Sequence, residues 1–195
     1  LDAQEARAAL LAARETCDLP VLVSLTFGED GRTLTGADPI SALVTFQALG
    51  ATAFGCNCST GPQAMLEIIK NLKPYATIPL LAKPNAGLPK LRDGKTVFDM
   101  VPDEFASHAP AFAAAGVNLL GGCCGTTPEH IRRTAEAARN LNPEAPRRRA
   151  LSAVSSPRRT VFFGLDQKIR LIGERINPTG KKALKEELRA GKLGL

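Results

Sequence analysis

The sequence contains no run of about 18 apolar residues, so no segment reads as a membrane-spanning helix. It lacks the basic start, short apolar stretch and small-residue cleavage site of a secretory leader, and the expected location is the cytoplasm. It has five cysteines, an odd number, which argues against a disulfide framework and for reduced thiols or a metal site. Aromatic residues are few, and none interleaves with the short arginine runs "PRRRA" and "SPRRT". Without stacking platforms those runs read as a solvated linker, not a nucleic-acid arm. The first strand–helix junction has no G-x-G-x-x-G stretch, which argues against a dinucleotide-binding open sheet. An initiator methionine is also missing. The first methionine is Met65, and the chain closes on "AGKLGL" soon after a helix begins, as a piece of a longer protein would.

The net charge of +6 is unevenly spread. Residues 1–140 carry 12 Lys+Arg and 14 Asp+Glu, a balance of −2, and residues 141–195 carry 13 and 5, a balance of +8. The basic excess therefore belongs to the last quarter of the chain. Residues 141–167, rich in Pro, Arg and Ser, read as a linker.

Before that linker, helical and strand patterns alternate. "LDAQEARAALLAARE" repeats Ala and Leu at helical spacing, and "PVLVSLTF" is a short apolar strand. Asp38, Pro39 and Gly50 punctuate the next helix as cap, first turn and stop. "ATAFG", "IPLLAKP" and "VNLLGG" read as further strands. "GPQAMLEIIKNL", "VPDEFASHAPAFAAAG" and "TTPEHIRRTAEAARNL" read as helices, and "NAGLPKLRDGKTVFD" as a long loop. Strands alternating with helices predict an α/β fold with a parallel sheet. The strands are apolar along their length, which predicts cover on both faces. Four strands before residue 140 make half of a closed (β/α)8 TIM barrel, which takes about 250 residues. An open doubly wound sheet is the alternative. From residue 168, "KIRLIGERINPTGKKALKEELRAGKL" starts a second α/β domain with strand, loop and helix.

In a parallel barrel the loops after the strands form the active face. Cys56 and Cys58 fall just past the second strand, Cys123 and Cys124 just past the fourth, and Cys17 at the opposite end. Three thiolates from two strand ends suit zinc with an open fourth position. Gly121, Gly122 and Gly125 let consecutive cysteines turn toward one point. Spacing does not choose between Cys56 and Cys58. Four buried small apolar residues are the plainer reading. An open thiolate-rich zinc would bind a substrate thiol as thiolate and present it to an electrophilic carbon, which is thiol alkylation. His108 and His130 fall on helices and read as surface or capping residues. Lys83, at a strand end before Pro84, is a candidate for an anionic substrate group.

"SLTF…GRTLTGADP", "GCNCSTGP", "KPNAGLP" and "GGCCGTTPEHI", in that order, resemble the C-terminal half of the homocysteine-binding domain of homocysteine methyltransferases. "LIGERINPTGKK" resembles the start of the pterin-binding domain that follows it in cobalamin-dependent methionine synthases. The resemblance covers essentially the whole chain. It implies a homocysteine-binding half-domain over 1–140, a linker over 141–167, and a truncated pterin-binding domain over 168–195. It implies zinc ligands at Cys58, Cys123 and Cys124, with Asn57 and Asn85 lining the substrate pocket. It further implies homocysteine as substrate, methylcobalamin on another module of the same protein as immediate donor, and methyltetrahydrofolate as the methyl source. The half-domain alone is expected to be inactive. The rivals are a homocysteine methyltransferase using another donor and a non-catalytic zinc or redox thiol protein.

Overall fold

The computed structural model describes residues 2–58, 61–147, 152–164, 167–171 and 180–191. The chain divides into two compact units, residues 1–164 and 165–195.

In the first unit, α1 (Ala3–Thr16) starts at Asp2, whose carboxylate accepts the N–H groups of Gln4 and Glu5. It leads into β1 (Leu22–Leu25). Helix α2 (Pro39–Ala48) is capped by Asp38, which accepts the Ser41 N–H at 3.0 Å, as the punctuation predicts. Then come β2 (Ala53–Asn57), α3 (Pro62–Leu72) and β3 (Leu80–Lys83). Strands β1, β2 and β3 and the later β6 (Val117–Leu120) form one parallel sheet in that order. Helix α6 (Pro128–Ala138) follows β6.

The helices cover one face of this sheet. Val23, Leu25, Phe54, Cys56, Leu80, Ala82 and Val117 pack there with Phe46, Ile69 and Phe112 of the helices. The alternate residues point to the other face, where Leu22 is 49% and Leu119 is 37% exposed. The expectation that both faces are covered therefore fails at the outer strands, while Ala53 and Leu81 between them are buried. Both edges, β1 and β6, lack a strand partner among them.

Between β3 and β6 the register shifts at Leu80/Leu81. Asn118 is the extra residue, and its Oδ1 accepts the Leu80 N–H at 3.1 Å. A side chain thus replaces a main-chain acceptor, which keeps a buried donor satisfied across the bulge.

Three stretches differ from their sequence readings. The long loop after β3 holds a hairpin, β4 (Lys90–Arg92) and β5 (Lys95–Val97). Asp93 and Gly94 both take positive φ, 51° and 72°, the backbone that a two-residue hairpin turn requires. The single helix expected over 101–116 is two, α4 (Pro102–Ala106) and α5 (Ala109–Ala114). Pro110 has no N–H to return to Ala106, and its ring would collide with that carbonyl, so the helix breaks at Ser107–His108. The linker is not featureless either. It contains a hairpin, β7 (Ser152–Ser156) and β8 (Arg159–Phe163), packed on α2. The Asp38 N–H donates to the Pro157 carbonyl at 3.0 Å, and Phe162 stacks on Tyr75 with ring centroids 4.5 Å apart.

In the second unit the described residues hold one helix, α7 (Lys182–Arg189). Most of the strand and loop expected there lies outside the described residues. No helix among the described residues is long and apolar enough to cross a membrane.

Candidate metal centre

Strand β2 ends at Asn57, and the next residue, Cys58, takes a left-handed backbone with φ 58°. A non-glycine residue there carries strain, which the surroundings must hold in place. The Cys58 N–H donates to the Lys83 carbonyl at 3.1 Å, which ties the turn to the end of β3.

Strand β6 ends at Leu120, and "GGCCG" turns the chain into α6. Gly125 has φ 79°, and a Cβ there would overlap the Phe98 side chain. The Thr126 hydroxyl donates to the Cys123 carbonyl at 2.7 Å and closes the turn.

The end of β3 and the segment after it supply no cysteine, yet they hold all three ligand candidates. Lys83 accepts the Cys58 N–H. The Pro84 carbonyl accepts the Cys123 N–H at 2.9 Å. Asn85 Oδ1 accepts the Cys124 N–H at 3.0 Å, and the Ala86 N–H donates to the Cys124 carbonyl at 2.9 Å. Asn85 is buried, as are Pro84 and Ala86. This scaffold was not read from the sequence. Its signal was "KPNAG", a proline and a small polar residue directly after an apolar strand.

The outcome is that the sulfurs of Cys58, Cys123 and Cys124 all lie within 4.8 Å of one another. Cys58 and Cys123 are paired as a disulfide, with Cα atoms 5.6 Å apart, and Cys124 Sγ is 3.8 Å from Cys58 Sγ. A tetrahedral ion with Zn–S bonds of about 2.3 Å separates its sulfur ligands by about 3.8 Å. The donor set therefore fits zinc once the thiols are reduced. Disulfide and metal are alternative states of the same sulfurs, because a metal needs thiolates.

Cys56, the other cysteine near this strand end, points to the helical face and is 1% exposed. Burial pushes its thiol up to about 12. We expect iodoacetamide at pH 8 to modify exposed Cys17 and leave Cys56 unmodified in the native protein, read by mass spectrometry. Labelling of Cys56 at the Cys17 rate would show that its environment is open.

Of the two asparagines expected to line the substrate pocket, Asn57 donates from Nδ2 to Thr26 Oγ1 at 3.3 Å, and Asn85 Oδ1 accepts the Cys124 N–H. Both asparagines stand within one hydrogen bond or one peptide of a clustered cysteine. His130 lies apart from the sulfurs in its bonding. Its Nδ1 accepts the Thr127 N–H at 3.1 Å and its Nε2 donates to the Met100 carbonyl at 2.9 Å. Both nitrogens are used, so His130 is a helix cap. His108 pairs with Gln63 on the surface at 3.3 Å.

The family model described as Homocysteine S-methyltransferase matches residues 1–138. The chain belongs to this methyltransferase family. It is 36% identical over 193 residues to the methionine synthase of Mycobacterium tuberculosis (strain ATCC 25618 / H37Rv), a match covering 96% of this chain and 16% of that protein. The methionine synthase of Mycobacterium leprae (strain TN) gives 36% identity over 198 residues, with the same coverage. The chain thus spans about 16% of the length of the curated relatives it matches. Its fold is shared with the homocysteine methyltransferase MmuM of Escherichia coli. The metallated form aligns with TM-score 0.57 at 22% identity over 71% of this chain and 42% of that one. The oxidised form aligns with TM-score 0.56 at 23% identity, with the same coverage.

Proposed function

We propose that this chain is part of a cobalamin-dependent methionine synthase. Residues 1–140 form the second half of a homocysteine-binding (β/α)8 barrel, and residues 168–195 open the pterin-binding domain. The stretch between them, 141–167, is a connection ordered in part by its hairpin. The uncovered sheet face and the two unpaired edges support a half-barrel. They are the surfaces that four further strands would close.

One observation carries the choice of methyl donor. The likeness to methionine synthases covers 96% of the chain, whereas the likeness to MmuM covers 71%. At 96% of the chain, the matches to the two mycobacterial methionine synthases extend through the second unit.

In this reading Cys58, Cys123 and Cys124 hold zinc. Bound zinc supplies a Lewis acid that lowers the pKa of a substrate thiol. The chain's own residues hold the three sulfurs at one point, through the backbone bonds from Lys83, Pro84, Asn85 and Ala86. Asn57 and Asn85 line the pocket for homocysteine. The reaction forms an S–CH3 bond at the homocysteine sulfur, breaks the methyl group's bond to its donor with the electron pair left on the donor, and releases the thiol proton. The methyl group comes from methylcobalamin, carried by another module of the same protein and recharged by methyltetrahydrofolate.

The Cys58–Cys123 pairing supports a second reading, a redox thiol protein without metal. Zinc content of the reduced protein separates the two. We expect about one equivalent of zinc, falling to below about one tenth in Cys58→Ser. An equal zinc content in both would overturn the ligand assignment.

A further inference from the structure

The carbonyl of Lys83 serves the cysteine scaffold, but the proposed chemistry leaves its side chain unused. Lys83 is the last residue of β3. Leu80 and Ala82 pack under the helices, so alternation turns Leu81 and Lys83 to the opposite face, where Leu81 is buried and Lys83 half-buried. Lys83 stands in register with Asn57, which is bonded to Thr26, so the end of this face is polar. The Lys83 stem runs beside Gly121, its Cγ 3.5 Å from where a Cβ would stand. No side chain at Gly121 lies between it and the turn bearing Cys123 and Cys124.

The ammonium group has no partner of its own. Lys70, Lys73 and Lys90 each meet a carboxylate, but Lys83 meets none among the described residues. It also donates no hydrogen bond among them. A half-buried cation next to a thiol-binding centre is complementary to a small thiol that carries an anionic group. Screening is weaker there than on an open surface.

We propose that Lys83 receives the carboxylate of the substrate and so makes the site prefer an amino-acid thiol to a bare amino-thiol. This rests on the reading that the three-cysteine site takes homocysteine. The sulfur sits at the cysteine cluster, and the short carbon chain runs along the polar end of the uncovered face. The carboxylate accepts hydrogen bonds from the Lys83 ammonium. Lysine suits this role as a compact charge on a flexible stem. No bond is made or broken at Lys83, so it acts in binding alone.

The test is titration calorimetry of the reduced, zinc-loaded full-length protein proposed above with two ligands, homocysteine and its decarboxylated analogue, an aminopropanethiol. The unsubstituted protein should prefer homocysteine by about 10- to 100-fold, the range of one hydrogen-bonded charge pair. Lys83→Met and Lys83→Gln should bind the two thiols alike, with zinc content unchanged. Lys83→Arg should keep most of the preference. A lysine that serves only to balance an acid elsewhere would weaken both thiols together and leave their ratio intact. A preference that survives in Lys83→Met or Lys83→Gln overturns the proposal. Equal binding of both thiols by the unsubstituted protein overturns it while the thiol site stands. Failure of both thiols to bind overturns the homocysteine reading as well.

Discussion

Replacing Cys123 by alanine is expected to abolish zinc-dependent methyl transfer to homocysteine. The assay is on the full-length protein proposed above, under reducing conditions. Removing a partner in the outer shell of a metal site costs about 10- to 100-fold in affinity or activity, and a ligand lies inside that shell. Activity should therefore fall by more than about a hundredfold, with zinc content falling in parallel. Cys123 is the fitting test because its N–H is fixed by the Pro84 carbonyl and its sulfur contacts Cys58. No other cysteine is placed to replace it. Cys56 faces the core, and Cys17 lies at the end of α1, away from the strand ends that carry the cluster. Cys56→Ala is the companion variant and should keep both zinc and activity. Wild-type turnover in Cys123→Ala would sink the three-thiolate mechanism.

The second large effect is expected at Gly55. A Cβ on Gly55 would overlap the Leu81 carbonyl on the neighbouring strand. That carbonyl belongs to backbone, so the clash is not relieved by turning a side chain. Strands β2 and β3 would have to separate, at the centre of the sheet and at the point where Gly55 registers with Leu81. Overpacking a close-packed interior costs about 1–3 kcal/mol, and a backbone clash belongs at or above the upper end. For a domain of this size about 3 kcal/mol lowers the melting midpoint by about 6–12 °C. Gly55→Ala should also loosen zinc, because Cys58 and Lys83 sit at the ends of the same two strands. A melting midpoint within a degree or two of the parent would show that the sheet gives way without cost. Gly121→Ala is a useful contrast, since a Cβ there meets the Lys83 stem at ordinary contact distance.

How much of this was legible in advance differs from element to element. Helix α2 was readable residue by residue. Asp38 caps it, Pro39 opens it, and Gly50 closes it with φ 85°. Those are local rules, and they act through bonds between near neighbours. The β4–β5 hairpin was equally local and was still missed. Asp93-Gly94 is the signature of its turn, but the flanking strands are short and exposed, so no apolar alternation marked them. The broken helix at Pro110 was missed for a different reason. Pro110 stands in an alanine-rich run of high helical propensity, which masks the break in the sequence. The β7–β8 hairpin was hidden by composition. A Ser- and Arg-rich stretch reads as linker unless one knows that α2 offers it a surface.

For the metal centre, the sequence alone determined that cysteines fall at the ends of two strands and that glycines allow a tight turn between two of them. It left Cys56 and Cys58 equivalent, and only the family resemblance preferred Cys58. The tertiary structure places them on different sides. Cys56 falls on the helical face of β2, where burial holds its thiol protonated up to about 12. Cys58 is one step past the strand, where a left-handed backbone swings its sulfur toward Cys123 and Cys124. Neither the twist at Cys58 nor the scaffold of Lys83, Pro84, Asn85 and Ala86 is written in residue spacing. Those bonds join the ends of strands far apart in the chain, and such contacts exist only after the strands have paired.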